Sequence, residues 1–189
     1  AERLHEKQLL GLAVSASALE EAIPYALEQG YDLLLLDGTE GVEKSWVELR
    51  GYPDLTVLRD AIQILRKHNS EEEISLIYFG GLRTGTDVSK ILAINCNAGA
   101  FGVAAEIAVG GSIDGDAVSF GTDLDVDEHC QAMERWIKAT AQESMIIARG
   151  AGKTNVHNIE PEDLRSITIA TSQALGIPLA AGMERRVGY

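Results

Sequence analysis

Apolar residues in this 189-residue chain fall into two patterns that alternate along it. Short, nearly unbroken runs, Leu9 to Val14, Asp32 to Asp37, Ile74 to Phe79 and Ala98 to Val103, read as strands with no polar face. Between them, apolar positions recur at helical spacing. Ala18 to Gln29 carries Leu19, Ala22, Ile23, Ala26 and Leu27 on one face, and Asp54 to His68 carries Leu55, Leu58, Ile62 and Leu65. Thr84 to Ile94 completes the third unit, and the fourth strand runs into Glu106 to Val109, the start of a further helix. Strands without alternation, separated by helices, predict a parallel sheet covered on both faces or closed into a barrel.

The pattern changes after Gly110. Residues 111–127 read as a Gly- and Asp-rich acidic loop, long enough to suggest a function. Asp125 and Glu128 then form a capping-box pair for a long helix to Arg149, with Met133, Trp136, Ile137, Thr140 and Ile147 on one face. A second helix is predicted to start at Pro161, with Glu162 and Asp163 favourably placed in its first turn. The expected organisation is therefore strand–helix units over 1–110, the acidic loop, and a helical extension over 128–189 packed on the same domain.

Composition narrows the classes. Hydrophobic residues make up 46% of the chain despite a net charge of −13, so a packed core is expected rather than disorder. A pI near 4.7 argues against general binding to nucleic acid or anionic membranes, so any anion site must be local. No apolar run approaches the roughly 20 residues of a membrane helix, and the charged N-terminus lacks a signal-peptide core. Two cysteines, Cys96 and Cys130, give no disulfide framework and fit a reducing cytoplasm.

The segment richest in chemistry is Ile77-Tyr78-Phe79-Gly80-Gly81-Leu82-Arg83-Thr84-Gly85-Thr86-Asp87-Val88. A strand ends in two glycines and a helix with a Thr cap follows. That suits a phosphate: bare backbone approaches the anion, N–H groups point at it, and Arg83 adds a charge-assisted bond. A tight turn alone would also explain the glycine pair. Phe101-Gly102-Val103-Ala104 ends the next strand, and adjacent loops at the last two strands of a barrel often share one phosphate.

Other constellations are weaker. Gly152-Lys153-Thr154 has the ending of a P-loop, yet Ile147 stands where its first glycine belongs. Asp123, Asp125, Asp127 and Glu134 have calcium-loop spacing, but Glu128 replaces the glycine such a loop needs. His129 and Cys130 are helix neighbours that point apart, and His5, His68 and His157 show no ligand spacing. Cys96 reads as core. No metal site and no nucleophile–base pair is expected.

These residues resemble a known family. Tyr31 to Gly111 is similar to the C-terminal half of the FMN-binding barrel of the glutamate synthases, whose Gly-Gly-[Leu/Ile]-Arg-[Thr/Ser]-Gly-x-Asp-Val motif matches Gly80 to Val88 nearly throughout. The tail from Ala148 to Leu164 resembles the archaeal-type, large-subunit-like branch that includes N-methylglutamate synthase. The resemblance implies an α/β fold, the (βα)5–8 half of a TIM-type (β/α)8 barrel followed by two C-terminal helices. It implies FMN with its phosphate at Gly80, Gly81, Arg83, Thr84, Gly102 and Val103, substrate contacts at Gly38 and Lys44, and amination and reduction of 2-oxoglutarate with ammonia or an amine.

The departures matter too. The family's Gly-Gly-Thr-Gly loop reads Asp37-Gly38-Thr39-Glu40-Gly41-Val42-Glu43-Lys44-Ser45 here, and its carboxylates oppose a dicarboxylate unless Lys44 compensates. Val103 replaces the family's threonine, and the iron–sulfur cysteines expected after the last strand are missing from Gly110 to His129. No cluster is expected on this chain. Strands one to four of the barrel lie outside it, so a second copy, another chain or the missing half of its own chain is expected to complete it. The alternative is a non-catalytic subunit serving as a binding platform.

Overall fold

Every predicted strand–helix unit forms, and the sheet that results is parallel throughout. The structure, a computed structural model, describes residues 8–40, 53–115, 117–122 and 125–182. Strands β1 (Gly11–Ser15), β2 (Leu33–Asp37), β3 (Ser75–Phe79) and β4 (Ala98–Ala100) lie side by side in chain order. Helices α1 (Leu19–Gln29), α2 (Thr56–His68), α3 (Gly85–Ala93) and α4 (Val103–Ala108) follow them in turn. Gly30 and Asn69 close α1 and α2 in the left-handed conformation, which lets the chain reverse into the next strand.

The strands alternate in burial although their sequences do not. Leu34, Leu36, Leu76 and Tyr78 are buried and share one core with Ile23 and Ala26 of α1 and Val57, Leu58, Ala61, Ile64 and Leu65 of α2. The neighbouring positions Leu33, Leu35, Ile77 and Phe79 are only partly covered. Register places Ala13, Leu35, Ile77 and Ala98 in one row across that second face, and Ser15, Asp37, Phe79 and Ala100 in the row above. This is one wall of a barrel interior. Of the two expected arrangements, covered on both faces or closed into a barrel, the second fits: among the described residues the helices cover one face only.

Three boundaries differ from expectation. β4 ends at Ala100, and Gly102 starts α4 so that Val103 is helical rather than the end of a strand. Within the expected acidic loop, β5 (Ser112–Asp114) and β6 (Ala117–Ser119) pair as an antiparallel hairpin. The long helix α5 (Val126–Gly150) forms with Asp125 accepting from the Asp127 and Glu128 N–H groups, but Ile137 is 53% exposed, and the face that packs runs through Trp136, Thr140, Ser144, Ile147 and Ala148. The second C-terminal helix does not start at Pro161. Residues Pro161–Asp163 make one 3-10 turn, because Glu160 and Asp163 satisfy each other's backbone and leave Leu164 extended; helix α6 comes later, at Ile169–Leu175.

α5 packs on α3 at a point that only glycine permits. A Cβ on Gly85 would lie 2.2 Å from the Thr140 carbonyl oxygen and 2.7 Å from the Ser144 nitrogen, and the Ser144 hydroxyl donates to the Gly85 carbonyl at 2.9 Å. Farther along, Ala93, Ala148 and Ile159 form a second small core. Among the described residues, no helix is long and apolar enough to cross a membrane.

Candidate functional site

The two glycine turns of the sequence meet at one end of the sheet. Phe79 pairs with Ala100, so Gly80 and Gly81 leave β3 beside the point where Phe101 and Gly102 leave β4. Gly80 has φ 141° and Gly81 has φ 68°, conformations that disfavour any side chain. The N–H groups of Gly80, Gly81 and Leu82 meet no acceptor among the described residues, and Gly80 and Leu82 are buried. Buried N–H groups are nearly always paired. A row of such donors on a turn is a place for an anion, and the residues present therefore fit the phosphate of FMN.

The turn rests on the chain that returns from the loop after β2. A Cβ on Gly81 would lie 2.4 Å from Cγ of Pro53, and one on Gly80 would lie 3.2 Å from Cβ of Pro53 and 3.0 Å from the Tyr78 hydroxyl. That hydroxyl donates to the Asp54 carbonyl at 3.2 Å. Burial, then the Asp54 and Asp37 carboxylates, push the Tyr78 phenol above its ordinary value, so it keeps its proton as a donor. Gly38, expected at the substrate, has a steric role in the turn: a Cβ there would run into the Tyr78 oxygen. Its N–H donates to Phe79 and its carbonyl accepts from Asp54, both at 2.8 Å. Lys44, the other expected substrate contact, lies outside the described residues.

The N-terminus of α3, read from sequence as part of the anion site, is filled by the protein's own carboxylates. Glu143 of α5 accepts from the Gly85 N–H at 2.8 Å and from the Thr86 hydroxyl. Asp87 accepts from the Arg83 N–H at 3.1 Å, while the Thr84 side chain makes no cap bond. The Arg83 guanidinium is half exposed and loosely paired, with Nε 3.9 Å from Asp87, beside the turn. On the β4 side, Phe101 packs edge-on against Trp136 with ring centroids 4.9 Å apart. The candidate anion site is thus the Gly80–Leu82 turn with Arg83 and the Gly102–Val103 turn, beside an α3 N-terminus whose Gly85 N–H already has Glu143 as its acceptor. Sequence spacing gave no sign of Glu143, which lies 58 residues from Gly85.

Neighbouring features fall into place around it. Glu40, expected to oppose a dicarboxylate, is turned onto the first loop: it accepts from the Ser17 N–H at 2.8 Å and from the Ser17 hydroxyl. Those Ser17 bonds hold its carboxyl below the ordinary glutamate value. Glu43 and Asp123 lie outside the described residues. Cys96 is buried between the Leu76 and Ala98 carbonyls, and burial pushes its thiol up to about 11, so it is inert core. No group of three His, Cys, Asp or Glu side chains among the described residues is placed to hold a metal. At the opposite end of the sheet a cleft of about 730 Å³ is lined by Arg66, Asn95, Lys153 and His157. Its cations are paired, Arg66 with Glu71 and Lys153 with Glu160 and Asp163.

Comparison with known proteins agrees with this geometry. Residues 5–114 match the family model described as the conserved region in glutamate synthase. A glutamate synthase large subunit-like protein of Rhizobium meliloti (strain 1021) is 30% identical over 188 residues, covering 82% of this chain and 42% of that protein. Among solved structures, a flavocytochrome b2 variant with sulfite bound superposes with a TM-score of 0.61 at 19% identity, over 97% of this chain and 42% of that one. The recombinant flavin-binding domain of baker's yeast flavocytochrome b2 gives 0.59 at 19% identity, over 97% of this chain and 41% of that one. At these identities the likeness is one of fold, and the chain spans well under half the length of each protein it matches. With more than half of its residues inside the family's conserved region, and the Gly80-to-Val88 motif folded as a strand, a glycine turn and a helix, the chain belongs to the glutamate synthase family.

Proposed function

We propose that this chain is the phosphate-binding half of an FMN-dependent oxidoreductase of glutamate synthase type, acting in the amination and reduction of 2-oxoglutarate with ammonia or an amine. The observation that carries the reading is the row of N–H groups at Gly80, Gly81 and Leu82 without acceptors among the described residues. These donors, with Arg83 beside them and the Gly102–Val103 turn alongside, hold the flavin's phosphate. The flavin supplies the hydride chemistry. The chain's own part is to bind and orient: the glycine turn fixes the phosphate at the open ends of β3 and β4. Phe79, Ala100 and Asp37 then stand in the row of the inner wall nearest that end. That wall needs a cover to exclude water. A complementary half barrel, from a second copy, another chain or the remainder of a longer chain of which this is a part, provides it.

A second reading is a binding platform without turnover. It is favoured by Glu40, whose carboxylate already occupies the Ser17 turn near the expected substrate loop. Titration of the purified, assembled protein with FMN separates the two. Uptake of a yellow flavin that, once reduced chemically without oxygen, is reoxidised on addition of the amine and 2-oxoglutarate together supports the oxidoreductase. Flavin uptake without that reoxidation supports the platform. A protein that stays colourless with its complement present overturns FMN binding.

A further inference from the structure

We infer that Tyr78 is a positioning residue for the phosphate turn: by holding the Asp54 carbonyl, its hydroxyl keeps Pro53 pressed on Gly80 and Gly81 and so fixes where their N–H groups point. The inference rests on the FMN reading of that turn.

Tyr78 is fully buried, and its ring belongs to the main core between the sheet and the helices. Packing alone would be served by phenylalanine. The hydroxyl adds a bond across 24 residues to the Asp54 carbonyl, at the place where the chain returns from the β2 loop. Three glycines have given up their side chains around this one oxygen and the proline behind it. Gly38 and Gly80 face the hydroxyl, and Gly81 faces the Pro53 ring. The Asp54 N–H donates to the Gly38 carbonyl and the Gly38 N–H to the Phe79 carbonyl, so the returning segment is tied to the ends of both β2 and β3. Asp54 lies just before α2, and its carboxylate accepts from the Thr56 N–H of the first turn at 2.7 Å, which ties the brace to a helix. Gly80 and Gly81 sit in backbone conformations that a free glycine leaves readily. Something must hold them there before phosphate arrives, and the Pro53 surface does so. Preorganisation of this kind lowers the ordering cost of binding.

The test compares FMN with riboflavin, which lacks only the phosphate, in the assembled protein followed by flavin fluorescence. Wild type is expected to prefer FMN. Tyr78→Phe is expected to lose about tenfold in FMN affinity, the scale of one hydrogen bond, with riboflavin affinity unchanged. Pro53→Ala leaves the hydroxyl bond intact and removes the surface; it is expected to weaken FMN in the same selective way. It also carries the test if Tyr78→Phe fails to fold by circular dichroism. Unchanged FMN affinity in the folded variants overturns the inference, and so does parallel weakening of FMN and riboflavin, which marks a merely structural role. Wild type that shows no preference for FMN overturns the phosphate reading itself, and the role of Tyr78 with it.

Discussion

The two faces of the central sheet carry nearly the same residues and lead different lives. On the helix side Leu34 and Leu36 are completely buried and meet α1 and α2. One position along, Leu33 and Leu35 are equally apolar and only partly covered. A strand with leucine on both sides is the composition of a sheet buried twice over, and here the second burial needs chain beyond the described residues. The difference separates what the described residues fold by themselves, the outer layer, from the proposed role of the other face, to wall a flavin site once further chain covers it.

Substitutions sharpen that contrast. Leu36→Ala should cost about 3 kcal/mol, the range for emptying a buried leucine site, whereas Leu35→Ala in the chain alone should cost about 1 kcal/mol or less. Urea denaturation measures both. In the completed assembly the Leu35 penalty should rise toward that of Leu36, and equal penalties in the isolated chain would refute the contrast. Gly85→Ala should cost about 1–3 kcal/mol by overpacking against the Thr140 carbonyl, and near-ultraviolet circular dichroism of the Trp136 region should report α5 shifting on α3. Glu143→Ala should cost about 1–2 kcal/mol, because the Gly85 N–H and the Thr86 hydroxyl lose their acceptor.

The smallest effect concerns Glu40. Its folded-state pKa lies below the ordinary glutamate value, so its contribution is complete above that value and is lost as pH falls below it. Glu40→Gln should flatten this part of the acid limb of the stability profile, with no change near neutral pH beyond the lost charge. An identical acid limb in the variant would dismiss the Glu40–Ser17 bond as a stabilising contact.

Much of the fold was legible because unbroken apolar runs and helical spacing are local signals. What the runs could not say is which side of each strand is covered, since Leu33 and Leu34 look alike in sequence and differ only in what packs on them. The β5–β6 hairpin was not legible because its strands are three residues each, too short to establish a period, and Ser112, Ile113 and Asp114 are all exposed. The last helix was misplaced because Glu160 and Asp163 have the composition of a helix start but close on each other after one turn. For the site, the glycine turn announced itself through a contiguous motif. Its supports did not: Tyr78 reaches Asp54 across 24 residues and Glu143 reaches Gly85 across 58, and no spacing rule connects them. Arg83 and Thr84 were adjacent in sequence to an apparent helix-end anion site that Glu143 and Asp87 in fact fill.

Native mass spectrometry of the intact assembly tests the central claim most directly, because it reads stoichiometry and bound cofactor together. The account predicts this chain in a complex with a complementary half barrel, carrying one FMN for each Gly80–Leu82 turn, and loss of that mass when the turn is altered by Gly81→Ala. A lone chain that stays monomeric and free of FMN when the cofactor and its complement are supplied would contradict it.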